Sequence, residues 1–326
     1  MQEFHFWPRP AQFSRRDNQF GTEGEVTILL STYNGSRYLP QQLDSLYQQT
    51  WKDVRILVRD DGSSDDTLPL LLQAVAAGRI TLLPDHTNLG PAQSFFALLN
   101  YAAQGNTDCV AFCDQDDVWL PQKIERGMLA LQAVPAGRPA MYCSRIEMVN
   151  NQLEFVAWGD VPRKIGFGNA LVENVATGCT IILNRAAIDL LHGKTPAGAQ
   201  MHDWWCYLVL SCFGEVIFDP VSSIRYRLHG QNTVGVALGF RARFLRKLRR
   251  FFGPSRQKTW CSDHAVLLRD LYGAHIPPQH RRTLDQLIAG KTSFLRRIGL
   301  IFSGELWRQK ADDNLFLRIL LLLNRI

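Results

Sequence analysis

The sequence predicts an α/β fold, a mixed central sheet with flanking helices, followed by a basic helical extension. Three observations predict it. Short apolar runs alternate with helix-spaced segments from residue 26 to residue 113. The runs at 26–31, 54–59 and 109–113 each end in a polar loop, two of these rich in aspartate. The composition, 46% hydrophobic and 20% charged, is that of a globular chain with a core. Strands alternating with helices imply parallel βαβ units with right-handed crossovers.

The first element, residues 26–31 (VTILLS), is a buried strand feeding the loop Thr32-Tyr33-Asn34-Gly35. Residues 37–50 then set Leu39, Leu43, Leu46 and Tyr47 at helical spacing. A second strand, 54–59 (VRILVR), runs into Asp60-Asp61-Gly62-Ser63-Ser64-Asp65-Asp66-Thr67. A helix over 67–77, a short strand at 80–83 and a helix over 91–103 follow. The fourth strand, 109–113 (CVAFC), ends at Asp114-Gln115-Asp116-Asp117. The acidic clusters therefore fall at the carboxyl ends of strands, where open α/β sheets bind ligands. Further on, strands are expected at 140–148, 178–184 and 216–228, with a helix at 202–213. After Gly239 the chain becomes basic and helical.

At 326 residues the chain is long enough for one large domain or two modest ones. Its expected organisation is an extension over 1–23, a catalytic-type body over 24–239 and a helical basic region over 240–326. Residues 1–240 carry 18 Lys and Arg against 24 Asp and Glu, a net of −6, while residues 241–326 carry 18 against 6, a net of +12. An acidic body with a basic tail suggests two jobs, the tail meeting an anionic membrane or nucleic acid. The apolar stretch at 315–323 is broken by Arg318 and falls short of the roughly 18 residues a spanning helix needs. No secretory signal is expected at the N-terminus. The seven cysteines show no CxxC pair or zinc spacing, which points to reduced thiols and a cytoplasmic location.

Three carboxylates within four residues, Asp114, Asp116 and Asp117, repel one another. A hard divalent cation, Mn2+ or Mg2+, relieves that repulsion and bridges to a substrate's phosphates. A solvated turn or a helix cap is the plain alternative. Asp60 and Asp61 end a second strand in the same manner, which favours a site.

The opening segment VTILLSTYNGSRYLPQQLDSLYQQTWKDVRILVRDDGSSDDT resembles that of the family 2 glycosyltransferases, and FCDQDDVWLPQKIE resembles their DxD segment. The resemblance covers roughly residues 24–235. It implies the GT-A fold, Rossmann-like at its centre, together with a nucleotide-sugar donor, a divalent cation and inversion at the anomeric carbon. It also implies roles for particular residues. Ser31 and Tyr33 match positions that contact the base, and Asp61 one that reads the nucleoside. Asn88 and Gly90 match a loop closing over the nucleotide. Asp114 and Asp116 match the DxD, with Asp116 as the leading metal ligand. Gly178 matches a glycine beneath the donor sugar, although a turn before a strand explains it equally. Met201-His202-Asp203-Trp204-Trp205 matches the segment that supplies the general base, so Asp203 is the expected catalytic residue, a helix N-cap being the structural alternative. Arg225-Tyr226-Arg227-Leu228-His229-Gly230-Gln231-Asn232 resembles a segment frequent among rhamnosyltransferase-like members. It implies Arg227 at the diphosphate and His229 at the metal or the diphosphate.

In the tail, residues 240–252 set Phe240, Phe244, Leu245, Leu248, Phe251 and Phe252 on one arc and Arg243, Arg246, Lys247, Arg249 and Arg250 on the other. Such a helix suits an anionic membrane surface or packs on the body. The expected function is transfer of a sugar, rhamnose among the candidates, from a dTDP- or UDP-sugar to a glycan or lipid-linked glycan in bacterial envelope polysaccharide synthesis. The expected location is the cytoplasm, with peripheral contact to the inner face of the membrane. An inactive scaffold of the same fold and a nucleic-acid-binding protein are the rivals. The acidic body and the lack of an aromatic-glycine motif argue against nucleic acid.

Overall fold

The computed structural model describes residues 24–199, 201–229 and 260–326. The extension over 1–23 and the amphipathic segment 240–252 lie outside the described residues, as does the expected boundary at 239/240.

The first half follows the sequence closely. The strands β1 (Val26–Thr32), β2 (Val54–Asp60), β3 (Thr81–Leu82) and β4 (Cys109–Cys113) alternate with α1 (Leu39–Tyr47), α2 (Thr67–Ala76) and α3 (Pro91–Ala103). Next come β5 (Val118–Trp119), α4 (Lys123–Gln132), β6 (Ala140–Ser144), β7 (Glu147–Val149), β8 (Phe155–Trp158) and α5 (Phe167–Ala170). A 3-10 turn (Gly178–Thr180) leads into β9 (Ile182–Asn184), α6 (Arg185–Leu191), α7 (His202–Phe213), β10 (Glu215–Asp219) and β11 (Ile224–Arg227). The described chain closes with α8 (Trp260–Tyr272), α9 (Pro278–Gly290), α10 (Phe294–Ser303) and α11 (Ala311–Leu322).

The central sheet has the order β10-β6-β9-β4-β1-β2-β3. Every pairing in it is parallel except those of β9, which runs antiparallel to β4 and β6. Consecutive side chains of β1 point to opposite faces: Leu29 joins one core cluster, while Val26, Ile28 and Leu30 join the other. The first cluster is capped by α3 and α7. It also takes in Cys261, Ala265, Leu284, Leu300 and Leu317, so the described C-terminal helices share a core with α7.

Two single strands expected from sequence are each divided between sheets. Residues 140–149 form β6 and β7, and residues 215–227 form β10 and β11. β7 and β11 belong to a second sheet of order β5-β11-β7-β8. The division is made by Asp219. Its backbone oxygen accepts from Arg145 N at 2.9 Å, and its carboxylate accepts from Val221 N at 2.9 Å, which turns the chain before Ser223. Arg126 and Tyr142 hold the same carboxylate. The expected strand at 178–184 begins as a 3-10 turn, because Thr180 bonds back to the Thr177 carbonyl through both N and Oγ1. The second sheet carries β11 from the end of the central sheet to the acidic loop after β4.

Candidate active site

The loops after β1, β2 and β4 and the start of α7 meet at one edge of the central sheet. Their order follows from parallel pairing, which aligns carboxyl ends: Thr32 pairs with Asp60, and Leu30 with Cys113.

After β1, Ser31 Oγ lies 2.7 Å from Ser94 Oγ, and Tyr33 is half exposed. Gln115 latches this loop to the next. Its Oε1 accepts from Tyr33 N and its Nε2 donates to Tyr33 O, both at 2.8 Å. A Cβ at position 35 would sit 2.0 Å from Gln115 Oε1, so the latch requires Gly35. Asn34 takes a left-handed conformation (φ 48) and accepts from Ser64 N through its side chain.

Asp61 is buried at the end of β2. Its Oδ1 accepts from Arg59 Nη1 and from Leu89 N, and its Oδ2 from Gly90 N at 2.9 Å. Arg59, itself buried, also reaches Ser94, Asp85 and the Thr87 carbonyl. One guanidinium and one carboxylate thus stitch the 85–90 loop onto β2, and Asn88 stands exposed at its crest. Gly90 has φ 78, which a side chain would strain. Arg59 carries no motif. Its only sequence signal is a charge inside the apolar run VRILVRD.

The acidic loop after β4 divides by burial. Asp114 and Asp116 are partly accessible, whereas Asp117 is buried. Asp116 Oδ2 lies 2.7 Å from His229 Nε2, and the His229 ring stacks on Tyr38 with centroids 5.2 Å apart. Asp117 Oδ1 accepts from Arg227 N at 3.0 Å, while its Oδ2 has no hydrogen-bond partner among the described residues. Burial, with Asp116 and Asp114 beside it, pushes the Asp117 carboxyl well above the ordinary range. Burial likewise raises Asp114 to about 7, with Asp116 and Asp203 adding to the effect. Lys123 is buried nearby with its ammonium 4.6 Å from the Trp119 ring centroid, and burial lowers it to about 8.

Arg227 does not lie as an unengaged cation over this loop. Its Nε donates to Asp116 O at 2.8 Å, Nη1 to Asn151 O at 2.8 Å and Nη2 to Gln41 Oε1 at 2.6 Å. In this arrangement the guanidinium braces the acidic loop from behind, against the β7–β8 turn. That follows from its burial, since a guanidinium removed from water must satisfy its donors within the protein.

Asp203 opens α7, a helix buried nearly all round. Burial raises its carboxyl to about 6, and this outweighs hydrogen bonds from Trp204 N, Asn174 and Gly178 N that pull it down. Gly178 packs against the same turn: a Cβ there would meet His202 Nε2 at 2.7 Å. His202 is held between Phe95 and Phe112, and burial drives it down to about 3, so it is neutral. Both tryptophans that follow are core residues, their indole N–H groups donating to the carbonyls of Ala170 and Lys194.

Ligand atoms of Asp114, Asp117 and Cys179 all lie within 4.8 Å of one another. Burial holds the Cys179 thiol protonated, its pKa well above the ordinary value, so it is a poor partner for a hard cation. The accessible oxygens of Asp114 and Asp116, with His229 beside them, are a donor set that suits Mn2+ or Mg2+.

A sequence profile of the family described as Glycosyl transferase family 2 matches residues 27–181. Among curated relatives, the dTDP-rhamnosyl transferase RfbG of Shigella flexneri is 25% identical over 236 residues, covering 67% of this chain and 77% of that protein. The UDP-Glc:alpha-D-GlcNAc-diphosphoundecaprenol beta-1,3-glucosyltransferase WfgD of Escherichia coli is 30% identical over 168 residues, 50% of this chain and 62% of that protein. The crystal structure of S. aureus TarS 1-349 in complex with UDP-GlcNAc aligns with a TM-score of 0.52 at 13% identity, covering 92% of this chain and 89% of that 1-349 chain. The mannosyltransferase PcManGT from Pyrobaculum calidifontis, in complex with GDP-Man and Mn2+, aligns at 0.51 and 16% identity over 85% and 72%.

Proposed function

On the premise that this chain is a glycosyltransferase of family 2 with the GT-A fold, we propose that it is an inverting enzyme that moves a sugar from a dTDP- or UDP-sugar to a glycan or lipid-linked glycan acceptor. The observation that carries the reading is the convergence of Asp203 with Asp114. These carboxylates arise from separate elements, yet Asp203 is close enough to help raise Asp114. In this reading a donor-side and an acceptor-side carboxylate lie near each other, as single displacement requires.

In this reading Ser31, Tyr33, Asp61 and the Asn88–Gly90 loop bind the nucleoside, and Asp114 its ribose or the donor sugar. Asp116, Asp114 and His229 hold the divalent cation. Bound there, the cation would neutralise charge on the diphosphate leaving group. Arg227 keeps Asp116 at a fixed height through its bond to the Asp116 carbonyl. Gly178 lets the chain approach α7 and brings its N–H to Asp203. Asp203 takes the proton of the acceptor hydroxyl as that oxygen attacks the anomeric carbon. The bond from that carbon to the diphosphate breaks on the opposite side. A carboxyl poised near 6 suits this task, being mostly ionised at neutral pH yet more basic than an exposed aspartate.

The names of two relatives support the choice of donors and acceptor. RfbG is a dTDP-rhamnosyl transferase, and WfgD acts on a sugar diphosphoundecaprenol. Synthesis of a bacterial envelope polysaccharide is the setting that fits both. Peripheral contact with the cytoplasmic face of the membrane through residues 240–252 belongs to the same proposal, on their sequence pattern alone. No described helix is long and apolar enough to cross a membrane.

The test is thermal stabilisation by dTDP-rhamnose, UDP-glucose and their parent diphosphates, with and without Mn2+, followed by release of nucleoside diphosphate. A donor bound at 100 times its Kd stabilises by about 2.7 kcal/mol. Absence of any stabilisation or turnover across both nucleotide classes counts against the reading.

A further inference from the structure

Besides its own N–H, Asp203 receives hydrogen bonds from the backbone N–H groups of Trp204 and Gly178 and from the side chain of Asn174. Trp204 N lies 2.6 Å from Asp203 Oδ1. Trp204 is the next residue of the same helix, and its bond alone sets the carboxylate plane loosely, because χ2 of an aspartate is a broad torsion. Donors from separate elements remove that freedom. Asn174 is the one side-chain donor to Asp203 among the described residues.

A turn places Asn174 for this. Its Oδ1 accepts from Ala176 N at 3.0 Å, the bond of an Asx turn. That bond uses the side-chain oxygen, so the group offered to Asp203 is the amide Nδ2. An ionised carboxylate only accepts and an amide nitrogen only donates, so the two are matched in this orientation. Burial disfavours the charged form of Asp203, and the bonds from Trp204 N and Asn174 are the largest that oppose it.

The chain leading to Asn174 is also fixed. Glu173 Oε2 accepts from Asn169 Nδ2 at 2.9 Å and from Gln309 N at 2.8 Å. Asn169 accepts from Tyr207 OH at 2.7 Å and donates to Trp307 O at 3.1 Å. Trp204 Nε1 donates to Ala170 O at 2.7 Å. Trp204 and Tyr207 belong to α7, the helix that Asp203 opens. Trp307 and Gln309 belong to the connection between α10 and α11, which lies so close over α5 that a Cβ on Gly168 would clash with Glu305 O. Residues 169–173 are thus clamped between α7 and this C-terminal connection, and Asn174 follows directly on the clamp.

We propose that Asn174 is a positioning residue for transfer, fixing the plane of the Asp203 carboxylate so that a lone pair stays directed at the acceptor hydroxyl. The inference rests on the reading of Asp203 as general base. Asn174 touches no reacting atom and acts through Asp203 alone.

The experiment is steady-state release of nucleoside diphosphate from dTDP-rhamnose or UDP-glucose, with water standing in for the acceptor. The variants are N174A, N174D, D203N and N174A/D203N. N174A should lower kcat about 10–100-fold, the scale of a misplaced catalytic group. The KM for donor should stay within about twofold, since the lost interaction serves the base and not donor binding. N174D keeps the oxygen that Ala176 N needs and exchanges the donor for a second carboxylate. The two carboxylates then repel or share a proton, and either weakens the base, so kcat should fall as far as in N174A. N174A/D203N should be no slower than D203N, because residues that act as a unit are not additive. Wild-type kcat in N174D, with loss in N174A, overturns the proposal, since the turn alone then matters. An equal fall on adding N174A to D203N overturns it too, since Asn174 then acts elsewhere. Full kcat in both Asn174 variants, with D203N inactive, sinks this inference and leaves the base assignment standing. Wild-type release by D203N, or none by wild type with either donor, overturns both together.

Discussion

His229 Nε2 lies 2.7 Å from Asp116 Oδ2, joining residues that are 113 positions apart in the chain. β11 makes the contact. Its start pairs with β5, just after the acidic loop, and Arg227 at its end donates through Nε to the Asp116 carbonyl and through its backbone N–H to Asp117 Oδ1. The acidic loop and the Arg-x-His segment therefore form one unit, with Asp116 oriented by a histidine and its backbone held by an arginine.

Asp116→Asn should abolish cation-dependent donor binding. The amide removes a charge from the group proposed to hold the ion, and a neutral oxygen is a much weaker ligand for a hard cation. Calorimetric titration of UDP or dTDP with and without Mn2+ checks it. A folded variant that keeps both its affinity and its Mn2+ dependence would remove Asp116 from the site.

Asp203→Asn should keep donor affinity and lose transfer by about 10²–10⁴-fold, since the amide is close in shape but cannot take a proton. The pH profile follows from the raised carboxyl. Above about 6 the folded group is ionised and competent, and below it the group is protonated and idle. The wild-type rate, measured under conditions where chemistry limits turnover, should rise through that region with unit slope. A flat profile between pH 5 and 7 would contradict the assignment.

Arg227→Met should destabilise the fold by about 1–3 kcal/mol, because it removes the buried guanidinium that donates to the Asp116 carbonyl, the Asn151 carbonyl and Gln41 Oε1. Arg227→Lys should recover little, since an ammonium cannot reproduce the planar fork. Urea denaturation reads both. A midpoint unchanged in either variant would show that the brace is not needed.

Asp65 ties the β1 loop to the start of α2. Its Oδ2 accepts from Ser36 N and Oγ, and its Oδ1 from Thr67 N and Oγ1. Burial pushes its carboxyl up, but these four bonds overturn that and hold it at about 2 against an ordinary 3.8. The folded value is the lower one, so the stabilisation is complete above about 3.8 and lost as pH falls through about 2. Asp65→Ala should cost about 1–2 kcal/mol at neutral pH. The difference in urea stability from wild type should shrink toward pH 2, and a gap that stays constant with pH would refute the cause.

The sequence alone determined the alternation of strands and helices through β4, the acidic loops at strand ends and the segment that opens α7. Each of these is a local pattern. A buried strand, a helix face and a loop after a strand leave their period in a few consecutive residues, whatever they later touch. The tertiary structure decided what those patterns meet. It divided residues 140–149 and 215–227 between two sheets, because Asp219 turns the chain while both flanking runs stay apolar. It committed Arg227 to the acidic loop and buried Asp117 beside Lys123, although neither residue type announces burial. It also left Leu295 and Phe302 of α10 and Leu315 of α11 exposed, where the same helical spacing in sequence reads equally well as core. Periodicity reports that a helix has an apolar side. Only packing against residues distant in the chain determines whether that side faces the core or the solvent.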